Sequence, residues 1–458
     1  MCQRAKKGDV SIFCAHTMTL TPVDIACNLY RLFTMKLPGL RWPTSSAFHG
    51  RGGLVAAMLV DSVGTGLFLP FVVVYFLHMT SLPLPIIGAS LSAAALAALP
   101  TPALVGALID RFGAQRMVGL GNLVSAVAFL GYLVVGSAWQ LVTAAFLVGV
   151  GQATFWTATR ALVGVIAEPR ERTTWFALQS RARNAGYGLG GILGAVVVAA
   201  GSNLGYLLLA VANAVSYLIA AGLILRWRAP TGSFAYHQAL STRVTEMAAP
   251  QLHRARGSYR SLLADRGLLL VSGTNLVFVL CSSVLTVLLA VYLTRVLAAP
   301  VWLTGVMFTL DTVLVVTAQG VISRKVNAFH RPRVLQAAAG CFAISFIMLW
   351  ALASAPAWLT IPGLIVAITV FTIAEMLEGP LINALVVDMA PAYAPGRYLA
   401  AYQLSWSLAA VVAPGLLTWL LTIDISLPWI ALLGFCALAI GAIHVIPTRH
   451  TQTNPPTS

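Results

Sequence analysis

Five charged side chains lie inside long apolar stretches of this sequence, where an ionisable group is costly and therefore informative. They are Asp61, Arg160, Asp311, Glu375 and Glu378. On membrane-insertion scales a charge near the centre of an apolar helix costs roughly 2.5–3.5 kcal/mol, so each must face the protein interior or a watery cavity. Carboxyl groups in such positions can bind and release protons or attract a cationic ligand.

Glu375 and Glu378 are spaced three residues apart, which places them on one face of a helix with Phe371 and Ile382. Two carboxylates this close in a low dielectric cannot both be ionised cheaply. The pair therefore suits a proton carrier or a receptor for a cationic substrate, and Asp311 could contribute to the same acidic half. The alternative for Asp311 is a structural hydrogen bond to residues such as Arg183.

Asp61 and Arg160 are expected at similar depths in two different helices. Asp61 lies about seven residues from the start of its apolar stretch and Arg160 about six from the end of its own. At 1.5 Å per residue both lie roughly 10 Å deep. We expect the two side chains to approach each other, with protonation of Asp61 making and breaking the pair. The alternative is a permanent ion pair that only aligns the two helices.

The composition of the chain excludes most soluble classes. Of its 458 residues, 59% are hydrophobic and 9% charged, and the mean hydropathy is +0.86. Soluble domains are about 45–50% apolar and about 25% charged, and disordered chains have low hydrophobicity. The chain is therefore expected to be a membrane protein.

Apolar stretches long enough to cross a membrane, about 20 residues each, recur twelve times in two groups of six. They are residues 54–77, 85–109, 117–137, 140–166, 175–200, 204–226, 268–293, 303–322, 333–353, 358–387, 398–422 and 427–446. The sequence thus predicts an all-α integral membrane protein with an N-terminal segment (1–53), a six-helix bundle (54–226), a basic linker (227–266), a second bundle (267–447) and a tail (448–458).

The positive charges predict the orientation of these spans. The chain carries 28 Lys and Arg against 13 Asp and Glu, a net charge of +15. Of the 28, all but Arg160 and Arg295 fall in the termini, the linker or the loops and helix ends on one side. Positive charge marks the cytoplasmic side, so both termini and the linker are predicted to be cytoplasmic. The excess of Lys and Arg is then explained by the topology of the chain, and no nucleic-acid partner is expected.

The two groups of spans read as copies of one unit. The segment 74–77 ending the first span corresponds to 291–294 ending the seventh, and in both a glycine follows the tyrosine by thirteen residues (Gly88 and Gly305). Ala161-Leu162-Val163 likewise corresponds to Ala384-Leu385-Val386. Two homologous halves of six helices describe a secondary transporter with its binding site between the halves.

The loop between the second and third spans carries Gly106, Asp110, Arg111, Gly113 and Arg116 in the pattern G-x-x-x-D-R-x-G-x-x-R. This pattern resembles the loop signature of the major facilitator superfamily, and a degenerate copy begins at Gly320. The resemblance implies two pseudo-symmetric bundles and a latch in which Asp110 engages the start of the eleventh helix near Tyr398. The alternative is a charged turn that only sets topology.

The first span, with Asp61 and Pro70 nine residues apart, resembles the first helix of drug/proton antiporters of that superfamily, of actinobacterial type. The fifth span has the glycines of the antiporter signature, from Gly186 to Gly194, but lacks its proline. The same glycines satisfy G-x-G-x-x-G, but no strand precedes them, so close helix packing is favoured over dinucleotide binding.

Polar and aromatic residues at inward-facing positions complete a predicted substrate cavity. They are Gln152, Trp156, Asn275, Ser282, Thr286, Tyr402 and Trp406. Aromatic rings mixed with acids suit amphipathic substrates, including cationic ones. The six cysteines and eight histidines show no metal-ligand spacing, and no P-loop or nucleophile elbow is present. We therefore expect no enzyme activity, no cofactor and no metal.

These features predict a proton-coupled exporter of amphipathic small molecules such as drugs or natural products, located in the cell membrane as a monomer. A proton-coupled importer of a small polar solute is the alternative on the same fold. A non-transporting receptor or a lipid-modifying enzyme is a third interpretation. The first 50 residues lack a signal peptide, and Met35 is an alternative start.

Overall fold

The computed structural model describes residues 52–166, 172–200, 203–227, 265–326, 329–389 and 395–445. Within these ranges all regular secondary structure is helical. The α helices are α1 Gly52–Phe68, α2 Val72–Met79, α3 Leu84–Ala98, α4 Thr101–Phe112, α5 Ala114–Tyr132, α6 Ala138–Ile166, α7 Arg172–Ala199, α8 Asn203–Arg226, α9 Arg266–Ser282, α10 Leu289–Arg295, α11 Trp302–Val326, α12 Arg331–Ala351, α13 Ala357–Met389, α14 Pro395–Ile423 and α15 Leu427–Val445. The predicted N-terminal segment, most of the linker and the tail lie outside the described residues.

Each of the twelve predicted spans coincides with a helix or a broken helix of the structure. By length and composition nine stretches of the described chain suffice to cross a membrane, and a tenth does if α3 and α4, bent by 43°, form one span. The helices α5 and α7 do not meet this measure. Since α7 carries three arginines and α5 is rich in small residues, membrane crossing by these two stays a prediction.

The first and seventh spans are broken at equivalent places. A 3-10 turn at Leu69–Phe71 separates α1 from α2, where Pro70 has no N–H to donate. A π-helical turn at Val284–Leu288 separates α9 from α10. The two broken turns contact each other, so the irregular backbone of both spans lies between the two helix groups.

A pair of equivalent hydrogen bonds supports the relation between the halves. The Tyr75 hydroxyl donates to the carbonyl of Tyr132 at 3.3 Å, and the Tyr292 hydroxyl donates to that of Leu349 at 2.6 Å. Both bonds join residues 57 positions apart. The tyrosines predicted to correspond therefore hold corresponding helices together, the first span to the third and the seventh to the ninth.

Aromatic side chains fill the interior of each helix group. In the first group Phe68 packs edge-on against Phe129, with ring centroids 4.9 Å apart. In the second group Tyr292 packs edge-on against Trp429, also at 4.9 Å. Lipid removes the hydrophobic drive between membrane helices, so close packing of this kind is what stabilises the groups.

Two helix crossings join the groups, α7 with α11 and α3 with α14. Both use glycine for close approach: a Cβ on Gly305 would lie 2.5 Å from the Gly191 carbonyl oxygen, and one on Gly88 would lie 2.6 Å from that of Pro414. The Ser92 hydroxyl accepts a hydrogen bond from the Gly415 amide at 2.8 Å. These contacts lie toward the end of the bundle where α2 ends and α3 begins.

Candidate functional site

The buried carboxyl groups of the second helix group meet where α9, α11 and α13 come together. Thr372 on α13 donates from Oγ1 to Oδ1 of Asp311 on α11 at 2.7 Å. Asp311 also hydrogen-bonds to Glu375, whose carboxyl contacts the Ser282 hydroxyl at the end of α9. A hydrogen bond between two carboxyl groups needs a proton on one of them, so the Asp311–Glu375 pair is suited to hold one.

The backbone beside Ser282 is irregular. The π-helical turn Val284–Leu288 begins two residues after it, and Thr286 within that turn donates to the Ser283 carbonyl at 3.3 Å. Single π-helical turns inside α helices occur frequently at functional sites. The predicted cavity residues Ser282 and Thr286 therefore lie at the broken point of the seventh span, where the carboxyl pair contacts it.

Glu378 has different neighbours from Glu375, although one face of α13 carries both. It is 5% exposed and lies close to Cys281 on α9 and Tyr402 on α14. Glu375 and Glu378 remain near enough to interact electrostatically. The acidic half predicted from the sequence is thus one cluster of three carboxyl groups, of which two share a hydrogen bond.

A chain of hydrogen bonds crosses the first helix group. The Tyr217 hydroxyl on α8 lies 3.0 Å from Thr65 Oγ1 on α1 and accepts from Gln152 Nε2 on α6. The Trp156 indole donates to Gln152 Oε1 at 3.2 Å. The Arg183 guanidinium on α7 lies over the Trp156 ring, 5.4 Å from its centroid. Four helices therefore place polar groups around the predicted cavity residues Gln152 and Trp156.

Asp61 lies beside this network and is 4% exposed. Its neighbours include the tyrosines Tyr187 on α7 and Tyr217 on α8, both near enough to feel its charge. Its Oδ1 atom is buried without a hydrogen-bond partner within the described part of the chain. A buried carboxyl oxygen in this condition is costly for a structural group, which makes Asp61 a functional candidate.

Two predicted partnerships differ in the structure. Asp61 and Arg160 form no ion pair: Asp61 is buried toward the tyrosines, while Arg160 is exposed on α6 with Arg183 as a charged neighbour. The alternative in which Asp311 bonds to Arg183 is also not found, because Asp311 bonds to the side chains of α13 and Arg183 stacks on Trp156. The rotation of each helix about its axis decides these pairings.

The remaining predicted cavity residues lie along α9 and α14. Asn275 is fully buried and donates from Nδ2 to Ser405 at 2.6 Å, so it joins these two helices. Tyr402 is buried and hydrogen-bonds to Trp406, which is 40% exposed. A separate groove of about 800 Å³ runs along α15 between Ala431 and Val445 and contains none of the predicted site residues.

The loop between α4 and α5 has the glycine turn that its motif predicts. Gly113 has a φ of +86°, in the region that favours glycine. Asp110, Arg111 and Arg116 are exposed, and Gly106 lies inside α4 with open space beside it. The predicted latch between Asp110 and the start of α14 falls partly outside the described side chains, since that of Tyr398 is not among them.

Sequence reasoning missed several partners. Gln115, in the first turn of α5, donates from Nε2 to the carbonyl oxygens of Ile224 and Trp227 at 2.7 and 2.6 Å, which caps the end of α8. Tyr187 and Thr372 were also missed as neighbours of the carboxyl groups. Helical spacing offered a signal, because Tyr187 follows Arg183 by four residues and Thr372 precedes Glu375 by three.

Comparison with known sequences assigns the chain to a class of transporter. The sequence profile of the Major Facilitator Superfamily matches residues 54–414. An uncharacterized MFS-type transporter of Escherichia coli (strain K12), YdeE, is 24% identical over 420 residues, 88% of this chain and 95% of its own length. A Na(+), Li(+), K(+)/H(+) antiporter of Planococcus maritimus is 26% identical over 357 residues, 72% of this chain and 78% of its own. The multidrug resistance protein MdtH of Enterobacter sp. (strain 638) is 36% identical over 89 residues, 19% of this chain and 22% of its own.

Solved structures share the fold. The nucleoside transporter NupG matches with a TM-score of 0.62 and 14% identity over 86% of this chain and 97% of its own. The xylose transporter XylE from E. coli, in an inward open conformation, matches with a TM-score of 0.64 and 14% identity over 86% and 94%. With its helical architecture, its related halves and a profile match over most of its length, the chain belongs to the Major Facilitator Superfamily and is a multi-pass membrane transporter rather than an enzyme.

Proposed function

We propose that the protein is a proton-coupled antiporter that exports amphipathic small molecules, such as drugs or natural products, by alternating access. The hydrogen-bonded pair of Asp311 and Glu375 carries this proposal, because such a pair holds one proton inside an apolar helix group. Ser282 links the pair to the broken seventh span. Proton release at this point therefore changes contacts of a span that lies between the two halves.

The energy of one proton is sufficient for useful transport. A charge moving through ~100 mV yields about 2.3 kcal/mol, which corresponds to a substrate gradient of roughly fifty-fold. Coupling through a single carboxyl pair therefore drives a substantial gradient, and Asp61 offers a second protonation site in the other half.

The contacts between the halves suit alternating access. With the predicted orientation, the crossings of α7 with α11 and α3 with α14 lie toward the extracellular end. The protein is then in an inward-facing state that receives substrate from the cytoplasm. This orientation, with both termini cytoplasmic and the chain in the bacterial cell membrane as a monomer, is part of the proposal.

The proposed substrate class rests on the residues of the site and on the similarity of the sequence to known transporters. The aromatic rings of Trp156, Tyr402 and Trp406 lie beside buried acids and two arginines, which suits molecules with both apolar and polar parts. The first span resembles that of drug/proton antiporters of actinobacterial type. A multidrug resistance protein matches 89 residues of the chain.

The test is substrate-dependent proton flux in proteoliposomes with an imposed pH gradient. Addition of amphipathic dyes is expected to drive protons in the direction opposite to dye movement. Asp311→Asn and Glu375→Gln should each lower this coupled flux at least about tenfold, the loss typical of removing a proton-transfer group. Asp424→Asn is the matched control, because Asp424 is exposed beyond α14 and bonds to the Ser426 amide.

Each outcome of this assay assigns the coupling mode. Protons and dye moving in the same direction indicate the proton-coupled importer instead. Uptake without proton movement excludes coupling, and absence of both under a range of substrates favours a non-transporting receptor. Full coupled flux in both carboxyl variants would remove the Asp311–Glu375 pair as the coupling site.

Alkali cation/proton antiport is a second candidate function. Two carboxyl groups and two hydroxyl groups, those of Asp311, Glu375, Ser282 and Thr372, converge from three helices. Oxygen ligands of this kind suit a hard cation. One relative carries the name of a Na(+), Li(+), K(+)/H(+) antiporter. Proton release on adding sodium, lithium or potassium ions alone to the proteoliposomes would favour this function over export of organic molecules.

A further inference from the structure

Two arginines of the first helix group lie near enough to interact electrostatically. Arg183 on α7 stacks over Trp156 with its guanidinium carbon 5.4 Å from the ring centroid, and Arg160 on α6 lies near enough to interact with Arg183. Arg160 follows Trp156 by four residues, so one face of α6 carries both. The three side chains therefore form a single cluster from two helices.

The member of this cluster on α7, Arg183, lies well away from the start of its helix. Arg183 is eleven residues into α7, which at 1.5 Å per residue is about 16 Å from the first residue of that helix. Arg160, six residues before the end of α6, is exposed, whereas the half-buried Arg183 cannot reach the bulk solution beyond the end of α7 by extending its side chain alone. It must be satisfied within the protein or by a group that enters the protein.

Within the described part of the chain, no carboxylate forms an ion pair with either arginine. The nearby Asp61 is buried and lies near enough to Tyr187 and Tyr217 to influence both electrostatically. Asp311, in the other helix group, is occupied by Thr372 and Glu375. Like charges near each other repel, and a guanidinium that is partly withdrawn from water is stabilised by a counterion. Among the described residues this arrangement has no ion-paired carboxylate.

The contact with Trp156 leaves the edge of the Arg183 guanidinium without a hydrogen bond to the described residues. A guanidinium presents five N–H donors around its plane, and contact with an indole uses only the face of that plane. Two N–H groups on this edge can donate to two oxygen atoms of one carboxylate, sulfonate or phosphate group. Trp156, which is fixed by its bond to Gln152, offers a flat apolar surface next to that edge.

We propose that Arg160, Arg183 and Trp156 form a binding site for the anionic group of an aromatic organic acid, with Trp156 contacting the ring. This inference rests on the proposed transport function and narrows its substrate class from amphipathic molecules in general to organic anions. The arginines neutralise the substrate in the first half, while the proton is held on the acidic pair of the second half.

The experiment measures binding to the purified full-length protein by calorimetry, with naphthoate as the probe. Naphthamide, which has the same ring and no charge, and naphthylmethylamine, which has the opposite charge, are the matched ligands. Inorganic phosphate serves as a competitor that distinguishes a small-anion site from one that also needs the ring. Only naphthoate is expected to bind well, with phosphate competing weakly.

Arg183→Gln and Arg160→Gln are expected to weaken naphthoate binding by about tenfold or more, the usual effect of losing a charge-assisted hydrogen bond. Arg183→Lys keeps the charge but loses the fork of donors, so its affinity should fall between wild type and Arg183→Gln. Arg181→Gln is the control, since Arg181 is exposed on another face of the same helix and should leave binding unchanged. An unchanged melting temperature of each variant shows that it is folded.

Several results would overturn the inference. These are equal binding of naphthoate and naphthamide, no naphthoate binding to the wild-type protein, or unchanged affinity in both glutamine variants. Binding of phosphate as tight as that of naphthoate would reduce the site to one for small anions and remove the aromatic acid. The outcome is separable from that of the proposed function: Asp311→Asn should retain naphthoate binding while losing proton coupling, and naphthoate binding without any transport would refute the transport function alone.

Discussion

At the scale of residues, Asp61 stands out because one oxygen of its buried carboxyl group has no hydrogen-bond partner among the described residues. It is 4% exposed, and its Oδ1 atom lacks a hydrogen-bond partner among the described residues. A group that only stabilises the fold is normally bonded when buried, since an unpaired buried polar atom costs about 1–3 kcal/mol. A carboxyl group in that environment is suited to a role in proton movement.

We expect Asp61→Asn to lower proton-coupled transport by about tenfold or more without loss of thermal stability. The amide is isosteric with the carboxyl group and cannot carry the transferred proton. The measurements are coupled flux in proteoliposomes and the melting temperature in detergent. Ser62→Ala is a neighbouring control, because the Ser62 hydroxyl only donates to the Met58 carbonyl within α1 at 2.8 Å. Intact proton coupling in Asp61→Asn would exclude Asp61 as a coupling site.

The residues of the site were easier to predict than their partners. A charge within an apolar stretch is visible in the sequence, so all three buried carboxyl groups of the second half were identified and the structure brings them together. The partner of each charge depends on how its helix is rotated about its axis. For this reason the expected pair of Asp61 and Arg160 is not formed in the structure, and the contact of Arg183 with Trp156 is one that the sequence does not predict.

At the scale of elements, the crossing of α7 with α11 depends on the absence of a side chain. The closest atoms to a Cβ placed on Gly305 would be the Gly191 oxygen at 2.5 Å and the Ala195 Cβ at 2.9 Å. At this distance the two helices cannot keep their positions if Gly305 is enlarged. The crossing joins the two halves, so α7 and α11 must separate there during alternating access.

We expect Gly305→Leu to shift the protein away from the conformation described here. Overpacking costs typically about 1–3 kcal/mol, which changes the ratio of two states by roughly 5- to 150-fold. The distance between spin labels at Ser81 and Ile425, both exposed at the closed end, should increase in a cysteine-free background. Gly320→Leu is the matched control on the same helix, because a Cβ there meets nothing within 4 Å. An unchanged distance in Gly305→Leu would show that this crossing does not hold the halves together.

The sequence predicts the helices themselves, but it predicts only one of the two breaks within them. Long apolar stretches predict spans, and Pro70 is a visible reason for the 3-10 turn in the first span. The π-helical turn at Val284–Leu288 contains no proline or glycine, so the sequence does not predict it. It arises from packing, since the turn contacts Leu69–Phe71 across the two helix groups.

At the scale of the whole molecule, the halves are related by more than sequence. The bonds of Tyr75 and Tyr292 occupy corresponding positions, and so do the close approaches of Gly88 and Gly305 to the opposite half. The charges break this symmetry, because the paired arginines belong to the first half and the clustered carboxyl groups to the second. A shared fold thus carries a different set of charged groups in each half.

The orientation of the molecule decides which end is closed, and it can be measured directly. Positive charge predicts that the loop containing Phe329 is cytoplasmic and that Ser81, Ser354 and Ile425 are extracellular. In a cysteine-free background, Ser81→Cys, Ser354→Cys and Ile425→Cys should react with a membrane-impermeant maleimide on intact cells. Phe329→Cys, at a position that is 66% exposed, should react only after permeabilisation and serves as the matched inner site.

Labelling of Phe329→Cys from outside would reverse the assignment. The contacts of Gly88 and Gly305 would then close the cytoplasmic end, and the protein would be open to the exterior. Labelling as expected makes the closed end extracellular, so that Arg160, toward the other end of α6, is reached from the cytoplasm. Because an exporter must load its substrate from that side, the same experiment also decides whether the arginine cluster is exposed to substrate in the state described here.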